Sequence, residues 1–264
     1  MMSTPSTPAL PSHALSFPTV RSARRRIGRL AGGLWMLALG AVVMGPASAG
    51  GLLGLDTPEG AARLMSAPVK QQFFAVQPYL DTQQNLAFCG PASIAAVLNS
   101  LPVRRPVADN LAPYTLFTQD NLFSEATRRI KAREAVLTRG MTLPEMAGFL
   151  NALGVRARTV PADQLTLDGF RSLLREILAR PDARLIANYS RPALGQPGGG
   201  HQSPLAAYDD ASDAVLVLDV AKFKFPPTWV GAADLLAAMQ TVDSDSGRSR
   251  GLVVVELPQG APAP

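Results

Sequence analysis

The chain of 264 residues holds a single cysteine, Cys89, and two histidines, of which only His201 lies beyond the first 49 residues. One thiol excludes an intrachain disulfide. One thiol beside one imidazole excludes a dedicated protein metal site of the usual Cys/His kind, which takes three or four such ligands. Any cysteine–histidine chemistry would have to use this pair. The first 49 residues lack Asp, Glu and Lys but carry five arginines: Arg21, Arg24, Arg25, Arg26 and Arg29. The apolar stretch 30–45 that follows has 16 residues, short of the roughly 20 that a membrane span needs. It leads to Ala47-Ser48-Ala49, an A-x-A-like cleavage site. The pattern reads as an export signal cut after Ala49 and a periplasmic protein, with an uncleaved inner-membrane anchor as the alternative. Arg24-Arg25-Arg26-Ile27 loosely matches a twin-arginine signal, which leaves that route and the general one both open. No cysteine lies near the cleavage site, so lipid anchoring there is excluded.

A net charge of either sign is also lacking once that segment is set aside. The whole chain carries 25 basic and 20 acidic residues, a formal +5. Five of the basic residues and none of the acidic ones sit in the first 49, so the remainder is formally neutral. The basic excess belongs to targeting and gives no support for nucleic-acid or anionic-membrane binding. The remaining 215 residues suit one domain with its own core, without internal repeats or long linkers. Residues 50–72 read as a lead-in, 73–257 as the main domain, and 258–264 as a Pro/Gly/Ala-rich tail that frays.

Apolar residues recur with helical spacing at 91–101, 122–138, 143–153, 167–179 and 232–241. Thr142 with Glu145 makes a capping-box pattern, Thr166 is a second N-cap, and Gly154 follows the third helix as a left-handed terminator. Strand-like runs come later, at 184–189, 203–208, 214–220 and 251–257. Asp209-Asp210-Ala211-Ser212-Asp213 reads as the hairpin turn between the second and third. Helices first and an antiparallel sheet afterwards predict an α+β domain of two lobes, with the cysteine helix packed against the sheet.

Cys89 opens an apolar helix, where the positive end of the macrodipole and unpaired N–H groups favour thiolate. Nucleophilic cysteine needs a base within hydrogen-bond reach and a third group to orient that base. His201 follows Gly198-Gly199-Gly200 at the start of a strand, and Asp219 ends the apolar run Val215-Leu216-Val217-Leu218. Counting outward from the hairpin turn places Asp219 within a residue or two of His201. Gln83 precedes the thiol by six residues, the spacing of a side-chain oxyanion donor. Taken singly these are a buried thiol, a loop histidine and a turn aspartate. Their combination points to acyl transfer.

Several motifs resemble the phytochelatin synthase family, papain-like cysteine peptidases that act on glutathione. They are Cys89-Gly90 within 83–99, Gly200-His201-Gln202-Ser203-Pro204, and the run from Leu218-Asp219 through Lys222-Phe223-Lys224-Phe225-Pro226-Pro227 to Trp229-Val230. Residues 114–121, Gly140-Met141-Thr142-Leu143, Asn188-Tyr189-Ser190-Arg191, Asp243-Ser244 and Ser249-Arg250-Gly251 add to them. The resemblance spans about 73–257 and implies a papain-like fold. It also implies Cys89 as nucleophile, His201 as acid/base, Asp219 as its orienter and Gln83 as oxyanion donor. Asp243 and Arg250 match positions that hold the γ-glutamyl end, a carboxylate for its ammonium and a guanidinium for its carboxylate. Arg191 is a further substrate-binding candidate on the cleft rim.

The chain resembles the short bacterial members without a Cys-rich C-terminal region, in which hydrolysis tends to prevail over transpeptidation. The implied activity is that of a glutathione γ-glutamylcysteinyltransferase or glutathione hydrolase. No cofactor is expected, and heavy-metal ions (Cd, Zn, Cu) would enter only as thiolate complexes of the substrate. Glutathione or a related thiol peptide is the expected partner, with a homodimer left open and membrane contact only through an uncleaved signal. Two other functions stay open: an exported peptidase for another small peptide, and a non-catalytic thiol or peptide binder.

Overall fold

The computed structural model describes residues 51–258 and residue 260, so the expected export signal lies outside the described residues, as does most of the expected tail. The helices are α1 (Pro58–Ser66), α2 (Gln71–Val76), α3 (Cys89–Asn99), α4 (Glu125–Arg128), α5 (Arg133–Arg139), α6 (Leu143–Ala152), α7 (Leu167–Leu178) and α8 (Ala232–Gln240). The strands are β1 (Leu53–Gly54), β2 (Arg156–Pro161), β3 (Ala183–Ser190), β4 (Gly200–Asp209), β5 (Ala214–Val217), β6 (Thr228–Gly231), β7 (Val242–Asp243), β8 (Arg248–Ser249) and β9 (Gly251–Glu256). Seven of them form one antiparallel sheet in the order β1-β6-β5-β4-β3-β9-β2, and β7 pairs with β8 in a separate ribbon.

The central strands are apolar on both sides because both sheet faces are covered. On β3 and β9, Ile186, Val253 and Val255 meet Ile94, Leu98, Met146 and Leu150 of α3 and α6. Their neighbours Leu185, Ala187, Leu252 and Val254 meet Phe170, Leu174, Leu235 and Met239 of α7 and α8 on the opposite face. The α+β class and the cysteine helix against an antiparallel sheet are as expected, but helices flank the sheet on both sides rather than forming one separate lobe. All of α3 is buried. Its Ala92 and Ala96 join Ala206 and Leu216 in one cluster, because small side chains let helix and sheet approach closely. Ser93 Oγ donates to the Gln202 carbonyl at 3.0 Å, pinning the first turn of α3 to β4.

The helix expected over 122–138 is broken into α4 and α5. Thr127 Oγ1 and Arg128 Nε turn back to the Leu122 and Phe123 carbonyls, Lys131 reaches Glu145 at 2.8 Å, and Ala132 is extended. These tertiary bonds override the periodicity. The expected lead-in is part of the fold: Leu53 pairs with Trp229, Thr57 caps α1 by accepting from Gly60 N, and Trp229 Nε1 donates to the Gly60 carbonyl at 3.1 Å. Strand β2 escaped the sequence reading because it is an edge strand carrying two arginines, Arg156-Ala157-Arg158, and ending in a proline. Strand β6, only four residues long, escaped it too.

Candidate active site

Cys89 is the first residue of α3, whose N-terminus has no side-chain cap. The N–H groups of that turn are therefore available to the thiol and to anything bound beside it. Gly90 has to be small: a Cβ there would lie 2.7 Å from Gln202 Oε1 and 2.9 Å from Met141 Sδ. Tight packing thus fixes the turn that presents the sulfur.

His201 is the second residue of β4 and is buried. Its Nε2 lies 3.0 Å from Asp219 Oδ1 and 2.9 Å from Ser203 Oγ. That leaves Nδ1 for Cys89, which lies beside the ring in the same cleft. Asp219 reaches the ring because the β4–β5 ladder ends at Pro204. Leu218 N still donates to the Pro204 carbonyl at 2.9 Å, but proline has no N–H to return. Val220 N turns to Ser203 Oγ instead, at 3.2 Å. Strand β5 therefore stops at Val217, three residues before the expected end, and the chain that peels away carries the carboxylate to the imidazole. The hairpin register agrees with the count made from sequence: Asp209 faces Ala214, and Leu205 faces Val217 across a bulge.

Electrostatics favour an ion pair. Burial pushes the Cys89 thiol up, but the hydrogen bond and charge of His201, with the N–H groups of Gln202 and Gly90, outweigh it and hold the thiol below its ordinary value. Burial pushes the His201 imidazolium down, and the hydrogen bonds to Asp219 and Cys89 outweigh that and raise it. For Asp219, burial acts upward while His201, Arg191 and the Ala221 N–H bring the carboxyl below the usual carboxylate range. A thiolate exists above its own pKa and an imidazolium below its own, so lowering one and raising the other opens a window in which both are charged. Alkylation of Cys89 by iodoacetamide should thus stay fast well below about pH 8.5, the free-thiol pKa, and lose that acid-side reactivity in His201→Ala. An ordinary thiol profile in the unsubstituted protein would contradict the ion pair.

The thiol opens on a cleft of about 320 Å³ whose lining includes Leu86, Ala87, Met141, Asn188, Asp243 and Arg250. Arg250 donates to Asn188 Oδ1 at 3.0 Å and lies 3.5 Å from Asp243 Oδ1, while its Nε has no partner. The guanidinium lies flat against Gly200, where a Cβ would come within 2.4 Å of one terminal nitrogen and 2.9 Å of Cζ. Gly200→Ala is therefore expected to displace Arg250 and raise KM about tenfold, the loss of one charged contact, with a smaller change in kcat. An unchanged KM in steady-state assays would separate Arg250 from substrate binding.

Gln83 is buried, its backbone N–H donates to the Val220 carbonyl at 2.9 Å, and one amide hydrogen goes to the Asn85 carbonyl at 2.6 Å. A primary amide has a second N–H. The structure therefore brings Cys89, His201 and Asp219 together, and sets Asp243 and Arg250 side by side in the cleft that the thiol lines. Arg191 is not on the cleft rim: it is buried behind Asp219, 2.9 Å from Oδ1. Ser203 and Tyr189 were missed. Both belong to motifs read from sequence, but nothing there shows that Ser203 would hold His201 or that the Tyr189 ring would pack edge-on to it at 5.6 Å. Among the described residues, no three His, Cys, Asp or Glu side chains gather so as to hold a metal ion, and no helix is long and apolar enough to cross a membrane. A larger hollow of about 780 Å³ lies elsewhere on α3, against Ala92, Ala95 and Asn99, and holds none of these candidates.

The family model described as phytochelatin synthase matches residues 49–252. Glutathione gamma-glutamylcysteinyltransferase 1 of Triticum aestivum is 34% identical over 203 residues, covering 76% of this chain and 39% of that protein. Glutathione gamma-glutamylcysteinyltransferase 2 of Arabidopsis thaliana is 33% identical over 190 residues, covering 72% and 41%. The chain thus spans about two fifths of the length of these relatives. Among solved structures, the peptidase domain of Streptococcus ComA overlays with a TM-score of 0.41 at 15% identity, covering 68% of this chain and 98% of that one.

Proposed function

The chain belongs to the phytochelatin synthase family, and from that membership together with the Cys89–His201–Asp219 arrangement we propose that it cleaves the Cys–Gly peptide bond of glutathione by acyl transfer through Cys89. The observation that carries this reading is the buried imidazole set beside the thiol in one cleft and bonded to a carboxylate through its other nitrogen.

The Cys89 thiolate attacks the carbonyl carbon joining cysteine to glycine. The backbone N–H of Cys89 and the second amide N–H of Gln83 receive the oxyanion, and one such donor contributes about 3 kcal/mol. His201 gives its proton to the glycine nitrogen as the C–N bond breaks, leaving a γ-Glu-Cys thioester. Neutral His201 then takes a proton from water, which releases γ-Glu-Cys, or from the α-amine of a second glutathione, which extends the peptide. Asp219 holds the ring in the tautomer this requires. Asp243 and Arg250 suit the ammonium and carboxylate of the γ-glutamyl group. Cadmium, zinc or copper ions enter as thiolate complexes of the substrate. Segment 1–49 completes the reading as an export signal, which N-terminal sequencing of periplasmic protein tests: Gly50 as first residue supports it, an intact N-terminus contradicts it.

Incubating the protein with glutathione, with and without cadmium, and identifying products by mass spectrometry tests the function. Free glycine with γ-Glu-Cys or an extended γ-Glu-Cys peptide is the expected result. Cleavage of other peptides with glutathione left intact would mark a different peptidase, and saturable glutathione binding without glycine would mark a binder.

A further inference from the structure

Arg191 is the charged side chain of this centre to which the proposed chemistry gives no task. Its guanidinium lies 2.9 and 2.8 Å from the two oxygens of Asp219, donates to Gln196 Oε1 at 2.8 Å and stacks 4.8 Å over the Phe225 ring. Its backbone holds the following loop: Arg191 N donates to the Gly199 carbonyl at 3.0 Å, and its carbonyl accepts from Leu194 N and Gln196 N. Gly198, at a φ of +126°, passes so close that a Cβ would sit 3.1 Å from Arg191 Cδ. The side chain is buried against protein and is absent from the cleft lining. Burying a guanidinium is costly unless its partners are well placed, and a residue that merely greets substrate at a rim has no need of such burial.

We propose that Arg191 is a positioning residue: it clamps Asp219 from behind, so that Oδ1 is presented to His201, and it braces the 192–200 loop that delivers His201 to Cys89. This rests on the acyl-transfer reading given above. The polar and charged groups around His201 are Cys89 from α3, Tyr189 from β3, Ser203 from β4, Asp219 after β5, and Arg191 acting across Asp219. Because Arg191 shares its carboxylate with the imidazolium, its positive charge opposes a second positive charge on His201. Removing it leaves Asp219 to His201 alone, and the imidazolium then persists to higher pH.

Arg191→Met keeps the packing on Phe225 and removes both the charge and the fork. The expected result is a kcat for glycine release lower by about 10²-fold, the cost of a misplaced catalytic group, with KM for glutathione within about threefold. His201 should titrate about one pH unit higher by imidazole NMR, a signal easily assigned in a chain with two histidines. Arg191→Lys keeps the charge and loses the fork, so its kcat should be intermediate and its His201 titration in place. A normal kcat with a raised KM in Arg191→Met would make Arg191 a substrate contact and overturn the proposal. An unmoved His201 titration in Arg191→Met would overturn it too. Should Arg191→Met not fold, Gln196→Leu loosens the clamp with the charge intact. A severalfold lower kcat at unchanged KM then supports the clamp, and an unchanged kcat sinks it. The NMR readout needs no substrate, so if glutathione is not turned over, the functional reading fails while the clamp is still judged.

Discussion

Cys89→Ala is expected to reduce glycine release from glutathione by at least about 10⁴-fold, because members of a catalytic unit act together and loss of the nucleophile removes the covalent route altogether. The change should cost little in folding. Cys89 stands at the first position of α3, and alanine is the best helix former. A melting temperature within a few degrees of the unsubstituted protein is therefore the accompanying expectation. Glycine release at the unsubstituted rate would end the cysteine mechanism.

Asp219→Asn combines a large kinetic effect with a large structural one. An amide in place of the carboxylate can orient the imidazole in the wrong tautomer and no longer stabilises the imidazolium, for which a loss of about 10³–10⁴-fold in kcat is the expected scale. It also leaves Arg191 buried without its counter-ion, since both of that carboxylate's oxygens face the guanidinium. Breaking a buried pair by removing one partner costs about 3 kcal/mol or more. Steady-state assays and denaturant unfolding should thus both report the substitution. A stability equal to the unsubstituted protein would show that Arg191 finds another partner. A kcat within tenfold would remove Asp219 from the reaction.

Much of this site was legible in the sequence because its parts lie on regular elements whose geometry can be counted. A two-residue uncertainty in a hairpin register still puts Asp219 opposite His201, and a lone thiol before a run of small and apolar residues marks a helix N-terminus. Legibility ended where tertiary contacts decide. Arg191 sits in a motif read from sequence, yet its burial behind Asp219 depends on Gln196 folding back from the loop that follows and on Phe225 arriving from the segment between β5 and β6. The break between α4 and α5 depends on Lys131 finding Glu145, which periodicity does not encode. Strand β2 alternates as edge strands do, but its arginines conceal it among loop residues.

The central claim is a covalent intermediate, and intact-protein mass spectrometry on enzyme quenched in acid soon after mixing with glutathione tests it most directly. The expected result is a population heavier by γ-glutamylcysteine less one water, lost on hydroxylamine treatment and absent from Cys89→Ala, together with a burst of glycine matching the enzyme present. Steady glycine release with no such adduct at any quench time, or an adduct on another residue, would contradict it.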